Sequence, residues 1–71
     1  MVRWSYCEIH LGDPCKLMDY TSGQWTAIKK ERGDRVDYVA VIRKAAELGH
    51  DGWELVSIDN GSFYFKRPTD A

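Results

Sequence analysis

Apolar positions follow two different periods along this chain. From Trp53 to Pro68 (W-E-L-V-S-I-D-N-G-S-F-Y-F-K-R-P) apolar and polar residues alternate on either side of Asn60-Gly61. A period of two marks strands, and Asn-Gly between them marks a two-residue turn whose central residues both need positive φ. Counting outward from that turn pairs Ile58 with Phe63, Val56 with Phe65 and Glu54 with Arg67. This predicts a core face of Val56, Ile58, Phe63 and Phe65, closed by a Glu54–Arg67 ion pair. The other face then carries Trp53, Leu55, Ser57, Tyr64 and Lys66.

From Val36 to Leu48 the period changes to that of a helix, with Tyr38, Val41, Ile42, Ala45 and Leu48 as its apolar stripe. Val39 and Ala46 lie at the stripe's margin, and Arg43, Lys44 and Glu47 fall on the opposite side. Asp34 is the expected N-cap, Asp37 favours the positive end of the dipole, and Gly49 is the expected left-handed stop. Val2–Leu11 reads as a strand with Trp4 and Tyr6 on one side and Cys7, Ile9 and Leu11 on the other. Gly12-Asp13-Pro14 ends it. Gln24–Glu31 reads as a further strand, clearest over Trp25–Lys30, which can pair with Leu17–Tyr20 across a turn at Thr21-Ser22-Gly23. Residues 12–34 as a whole fit one strand, two strands or a loop. The expected fold is α+β, a single domain over residues 1–71. An antiparallel sheet of three to four strands in β-β-α-β-β order packs on one amphipathic helix.

A single helix covers one side of such a sheet, and the hairpin pattern places Trp53, Leu55 and Tyr64 on the other, with Trp4 from the first strand. Burying a further Trp and Leu is worth about 3–5 kcal/mol, a large share of what a domain of 71 residues can accumulate. Self-association, most simply as a two-fold homodimer, is therefore the expected use of that face, through Trp4, Trp53, Leu55 and Tyr64. The alternative is that the segment from Lys16 to Gln24 covers it.

Composition narrows the function classes. Ten Lys plus Arg balance eleven Asp plus Glu, so no overall field recruits nucleic acid or an acidic membrane. No apolar run reaches the length of a membrane span, and the N-terminus lacks a signal-peptide pattern, so the expected location is the cytoplasm. Cys7 and Cys15 are then expected as free thiols. Cys7, His10 and Cys15 match no zinc spacing, and no metal or cofactor is expected.

The residues bear on three kinds of binding or chemistry. Nucleic-acid binding would use Trp25 with the basic run Lys29, Lys30, Arg32 and Arg35, although Glu31, Asp34 and Asp37 interrupt that run. Small-ligand binding would place an apolar or cationic guest against Trp4, Trp53 and Tyr64 at an oligomer seam. Catalysis has the least support: His10 and His50 are the only imidazoles, His50-Asp51 sits in a turn, and neither a nucleophile elbow nor a phosphate loop is present. No catalytic residue is assigned, and the expected class is a binding or interaction module.

Gly52-Trp53-Glu54-Leu55-Val56-Ser57, followed by Phe65-Lys66-Arg67-Pro68, resembles a widespread family of short bacterial proteins of unknown function. In that family an aromatic-bearing first strand, here with Trp4 and Tyr6, precedes one helix, a glycine-bracketed G-W-E-L-V strand and a closing F-K-R strand. The resemblance spans about the first ten residues and everything from Tyr38 onward. Residues 12–34 stand as a longer variable insertion. It implies an α+β fold and a stand-alone bacterial protein, with no activity or catalytic residues to carry over.

Overall fold

The computed structural model describes residues 3–30 and 37–69. It is an α+β fold with one five-stranded antiparallel sheet and one helix. The strands are β1 (Trp4–His10), β2 (Lys16–Asp19), β3 (Gln24–Ala27), β4 (Glu54–Asp59) and β5 (Ser62–Pro68), with α1 (Tyr38–His50) between β3 and β4. Their spatial order is β3-β2-β1-β5-β4, so the first strand is central and the last pairs beside it.

The expected three to four strands become five, in β-β-β-α-β-β order, because residues 16–27 form a complete hairpin added to β1 rather than a cover over it. Its turn is held locally. The Asp19 carboxylate accepts from the Thr21 amide at 2.9 Å, the Ser22 hydroxyl accepts from the Gln24 amide, and Gly23 takes φ +72°. The Asn60-Gly61 turn is as expected, with φ of 47° and 78°. β1 and β5 pair without interruption from Trp4 opposite Pro68 to His10 opposite Ser62.

One departure from the alternating pattern reshapes the sheet. A bulge between Leu55 and Ser57 gives β4 one extra residue, Val56. Beyond it Leu55 pairs with Phe65, and Glu54 faces Lys66 instead of Arg67. The bulge moves Leu55 to the helix side of the sheet, and Trp53 packs against the core there with the Arg67 guanidinium stacked 4.4 Å over its ring. Val56 and Ile58, expected in the core, are exposed. Shifting the phase by one residue trades cover for one valine against cover for a tryptophan, the larger gain in buried apolar area.

The helix is also rotated from its expected setting. Its buried residues are Ala40, Val41 and Leu48, whereas Tyr38 and Ile42 are exposed at 60% and 67%. Its N-cap is Asp37, a buried side chain that accepts from the Ala40 amide at 3.0 Å, while Asp34 lies outside the described residues. The left-handed stop is Gly52 and not Gly49. Gly52 has φ +89°, its amide bonds Gly49 O at 3.1 Å, and the Trp53 amide bonds Leu48 O at 2.9 Å. That pair of bonds is a Schellman motif, with Trp53 and Leu48 as its apolar partners. Gly52→Ala is accordingly expected to lower stability by about 1 kcal/mol, read from the urea midpoint, while Gly49→Ala should be neutral or better.

The core lies between α1 and the centre of the sheet: Cys7, Ile9 and Phe65 from the strands, Cys15 and Ile28 from the segments flanking the β2–β3 hairpin, and Ala40, Val41 and Leu48 from the helix. Both cysteines are buried free thiols. Among the described residues no helix is long and apolar enough to cross a membrane.

Candidate functional site

Cys7 and Ile9 point into the core, so by alternation Trp4, Tyr6, Glu8 and His10 line the face that α1 leaves open. The register sets their neighbours. One row across the face runs Trp25, Met18, Glu8, Tyr64, Ser57, and the next runs Ala27, Lys16, His10, Ser62, Asp59. Glu8 is thus near the middle of an aromatic-rich surface and is only 8% exposed.

Burying a carboxylate is costly unless hydrogen bonds replace its water. Tyr20 donates its hydroxyl to Glu8 Oε1 at 2.6 Å, and Ser62 donates to Glu8 Oε2 at 2.6 Å. His10 Nδ1 lies 3.0 Å from Ser62 Oγ and 3.7 Å from Glu8 Oε2. The single Ser62 proton is committed to Glu8, so the His10–Ser62 bond requires the proton on Nδ1. The network therefore runs from His10 through Ser62 to Glu8, with Tyr20 entering from the other side. The bond to Glu8 holds the phenol proton and pushes Tyr20 up to about 12. The order is wrong for a catalytic triad. Ser62 gives its proton to the carboxylate and accepts from the imidazole, so it is not activated as a nucleophile.

Around this network the aromatic side chains form walls. His10 meets Trp25 edge-on with ring centroids 6.0 Å apart, and Lys66 Nζ sits 4.2 Å over the Trp4 ring. A shallow groove of about 580 Å³ opens above Glu8 and Ser62, with Trp25, Tyr64, Lys16 and Asp59 on its sides.

The residues singled out in the sequence separate onto different surfaces. Trp4 and Tyr64 lie on the open face as expected, but Trp53 and Leu55 do not, because of the β4 bulge. Trp25 reaches the open-face groove, while Lys29 lines a separate groove against Ala40, Arg43 and Glu47 of the helix. Lys30 pairs with Asp13. Arg32 and Arg35 lie outside the described residues. The structure therefore does not bring Trp25 and Lys29 together as one aromatic-basic surface. Glu8, Ser62 and Tyr20 were not singled out by the sequence pattern, since each is an unremarkable polar or aromatic residue until β5 and β2 are laid beside β1. Among the described residues no three His, Cys, Asp or Glu side chains are grouped to hold a metal ion.

A second surface lies on the helix side. The flank of α1 bearing Ala40, Arg43, Lys44 and Glu47 faces Ile28 and Lys29, beyond the β3 edge. Helical spacing places Tyr38, Ile42 and Ala45 on the opposite flank, and α1 packs beside β4. There Leu55, Val56 and Ile58 are 47%, 54% and 60% exposed. No family model, curated protein or solved structure matches the chain, so both surfaces are read from their own geometry.

Proposed function

We propose that this protein is a small self-associating interaction module, joined to a second copy of itself along the β4 edge. The supporting observation is where the exposed apolar side chains lie. Of nine large ones among the described residues, five (Tyr38, Ile42, Leu55, Val56 and Ile58) belong to β4 and the neighbouring flank of α1. β4 is an edge strand, hydrogen-bonded to β5 alone; the bulge at Val56 interrupts it, but it has neither the lysine nor the proline that also protect such an edge. Its charges are confined to its ends, and Glu54 has Lys66 as its cross-strand neighbour.

A second copy suits this surface because the strand can pair with itself. A two-fold axis normal to the sheet would run two β4 strands antiparallel, keep both helices on one side and bring their Tyr38–Ile42 flanks together. The five side chains offer on the order of 400 Å² of apolar area per copy, about half of what a standard interface buries on each partner, with the β4 backbone and its flanks supplying the rest. This differs from association through the open face, whose centre is the hydrogen-bonded Glu8 network rather than an apolar layer.

Sedimentation velocity over a range of concentrations tests the proposal. The chain is expected at twice its own mass, and Ile58→Lys should weaken association by roughly a hundredfold while leaving the far-ultraviolet circular dichroism unchanged. A mass of one chain at high concentration, or a dimer indifferent to Ile58→Lys, would overturn it. Trp53 is unsuitable for this purpose: it packs against the core, so a charge there reports on folding.

A further inference from the structure

We propose that the groove above Glu8 on the open sheet face binds a small organic cation, an alkylammonium or guanidinium group. Its floor is a carboxylate fixed by two neutral hydroxyl donors, which leave lone pairs on both oxygens for a ligand. Three of the basic side chains near the sheet are directed elsewhere. Lys66 lies over Trp4, Arg67 over Trp53, and Lys30 on Asp13. His10 Nδ1 approaches the carboxylate at 3.7 Å.

The walls fit the same ligand class. Trp25 and Tyr64 flank the floor from β3 and β5, and aromatic faces attract cations through their negative π density. Asp59 adds a second carboxylate at the groove's rim. In the neutral imidazole, with its proton on Nδ1 and directed to Ser62, Nε2 is an acceptor as well. Lys16 is the one basic group on the lining, and it is exposed. A carboxylate floor, a carboxylate rim and aromatic walls repel an anion and offer a neutral ligand only contact. Only the rim residue Asp59 comes from β4; the floor and the aromatic walls come from β1, β3 and β5, so the site does not depend on self-association.

Titration of tryptophan fluorescence or amide chemical shifts with choline, guanidinium and the neutral choline isostere 3,3-dimethylbutan-1-ol tests this. Choline or guanidinium should perturb Trp25 and Tyr64 and bind at least tenfold more tightly than the isostere. Trp25→Leu, at an exposed edge position, should weaken cation binding about fivefold to tenfold, and Glu8→Gln at least tenfold. Ile58→Lys should leave it unchanged. The proposal is overturned if the isostere binds as well as choline, if neither cation binds, or if acetate competes for the groove more strongly than either. Equal cation affinity in a Glu8→Gln variant whose circular dichroism and thermal midpoint match the parent's would also overturn it.

Discussion

Replacing Ile9 with alanine is expected to leave the chain largely unfolded. Ile9 has no exposed surface, and it is the largest side chain buried so completely among the described residues. It sits on the central strand, with Phe63 paired to it on β5 and Leu17 on β2, beneath the helix residues of the core cluster. Strands hydrogen-bonded on both sides cannot slide inward to fill the space, so the cavity term adds to the lost transfer energy. An isoleucine-to-alanine change of this kind costs about 2–5 kcal/mol. A core of this size supplies only about 3–5 kcal/mol in total, so the two numbers meet. Urea titration followed by circular dichroism is the measurement. Ile9→Val should stay folded at a loss of about 1 kcal/mol, while Ile9→Ala should lack a native baseline. An alanine variant with an unshifted midpoint would mean that the sheet does not depend on its centre in this way.

The elements were legible where local chemistry determines them. Asn60-Gly61 forms the turn because both residues must take positive φ, and the 3.6-residue period over Val36–Leu48 forms the helix. The two sides of β1 were readable from its alternation, but not that Cys7 and Ile9 face the core, and the hairpin of residues 16–27 stood only as one of three options for residues 12–34. Two things were not legible. The β4 bulge follows from Trp53 rather than Val56 packing against the core, a tertiary choice that no residue in L-V-S marks. The helix phase was misjudged because Tyr38 and Ile42 are apolar whether they face a core or a flank. Periodicity locates a stripe but not what covers it.

The same two shifts account for the difference between the expected and observed surfaces. Without the bulge the open face would carry Trp53 and Leu55 and would be apolar enough to need a cover. With it, that face keeps Trp4, Tyr6 and Tyr64 around a hydrogen-bonded Glu8, a surface that water can meet. The uncovered apolar side chains collect instead where the rotated helix and the bulged strand leave Ile42, Val56 and Ile58 exposed. Every buried side-chain nitrogen and oxygen among the described residues has a hydrogen-bond partner, so the Glu8 network closes without a gap. Its members are contributed by β1, the end of the β2 hairpin strand and β5, which makes it a consequence of sheet order rather than of any local motif.

Stability is expected to fall steeply between pH 9 and pH 11 because of Cys7. Burial pushes its thiol from the usual 9.0 up to about 11, Asp19 across the β1–β2 pair adds to the rise, and Arg67 offsets part of it. The folded state therefore holds the proton more tightly than the unfolded chain does. The resulting stabilisation is fully present below pH 9 and is lost as the pH climbs through the folded-state value. A shift of this size corresponds to roughly 2–3 kcal/mol, most of what the domain has to lose. Tyr20, held up by its bond to Glu8, acts in the same direction over a higher range, between its usual 10.0 and about 12. Urea midpoints measured from pH 7 to pH 11 check the effect against a Cys7→Ala variant. The variant should begin lower at pH 7, having lost a buried sulfur, and then fall less than the parent, so that the two curves converge. Parallel curves would assign the alkaline loss to other groups and would mean that the Cys7 thiol, although only 3% exposed, ionises without resistance from the fold.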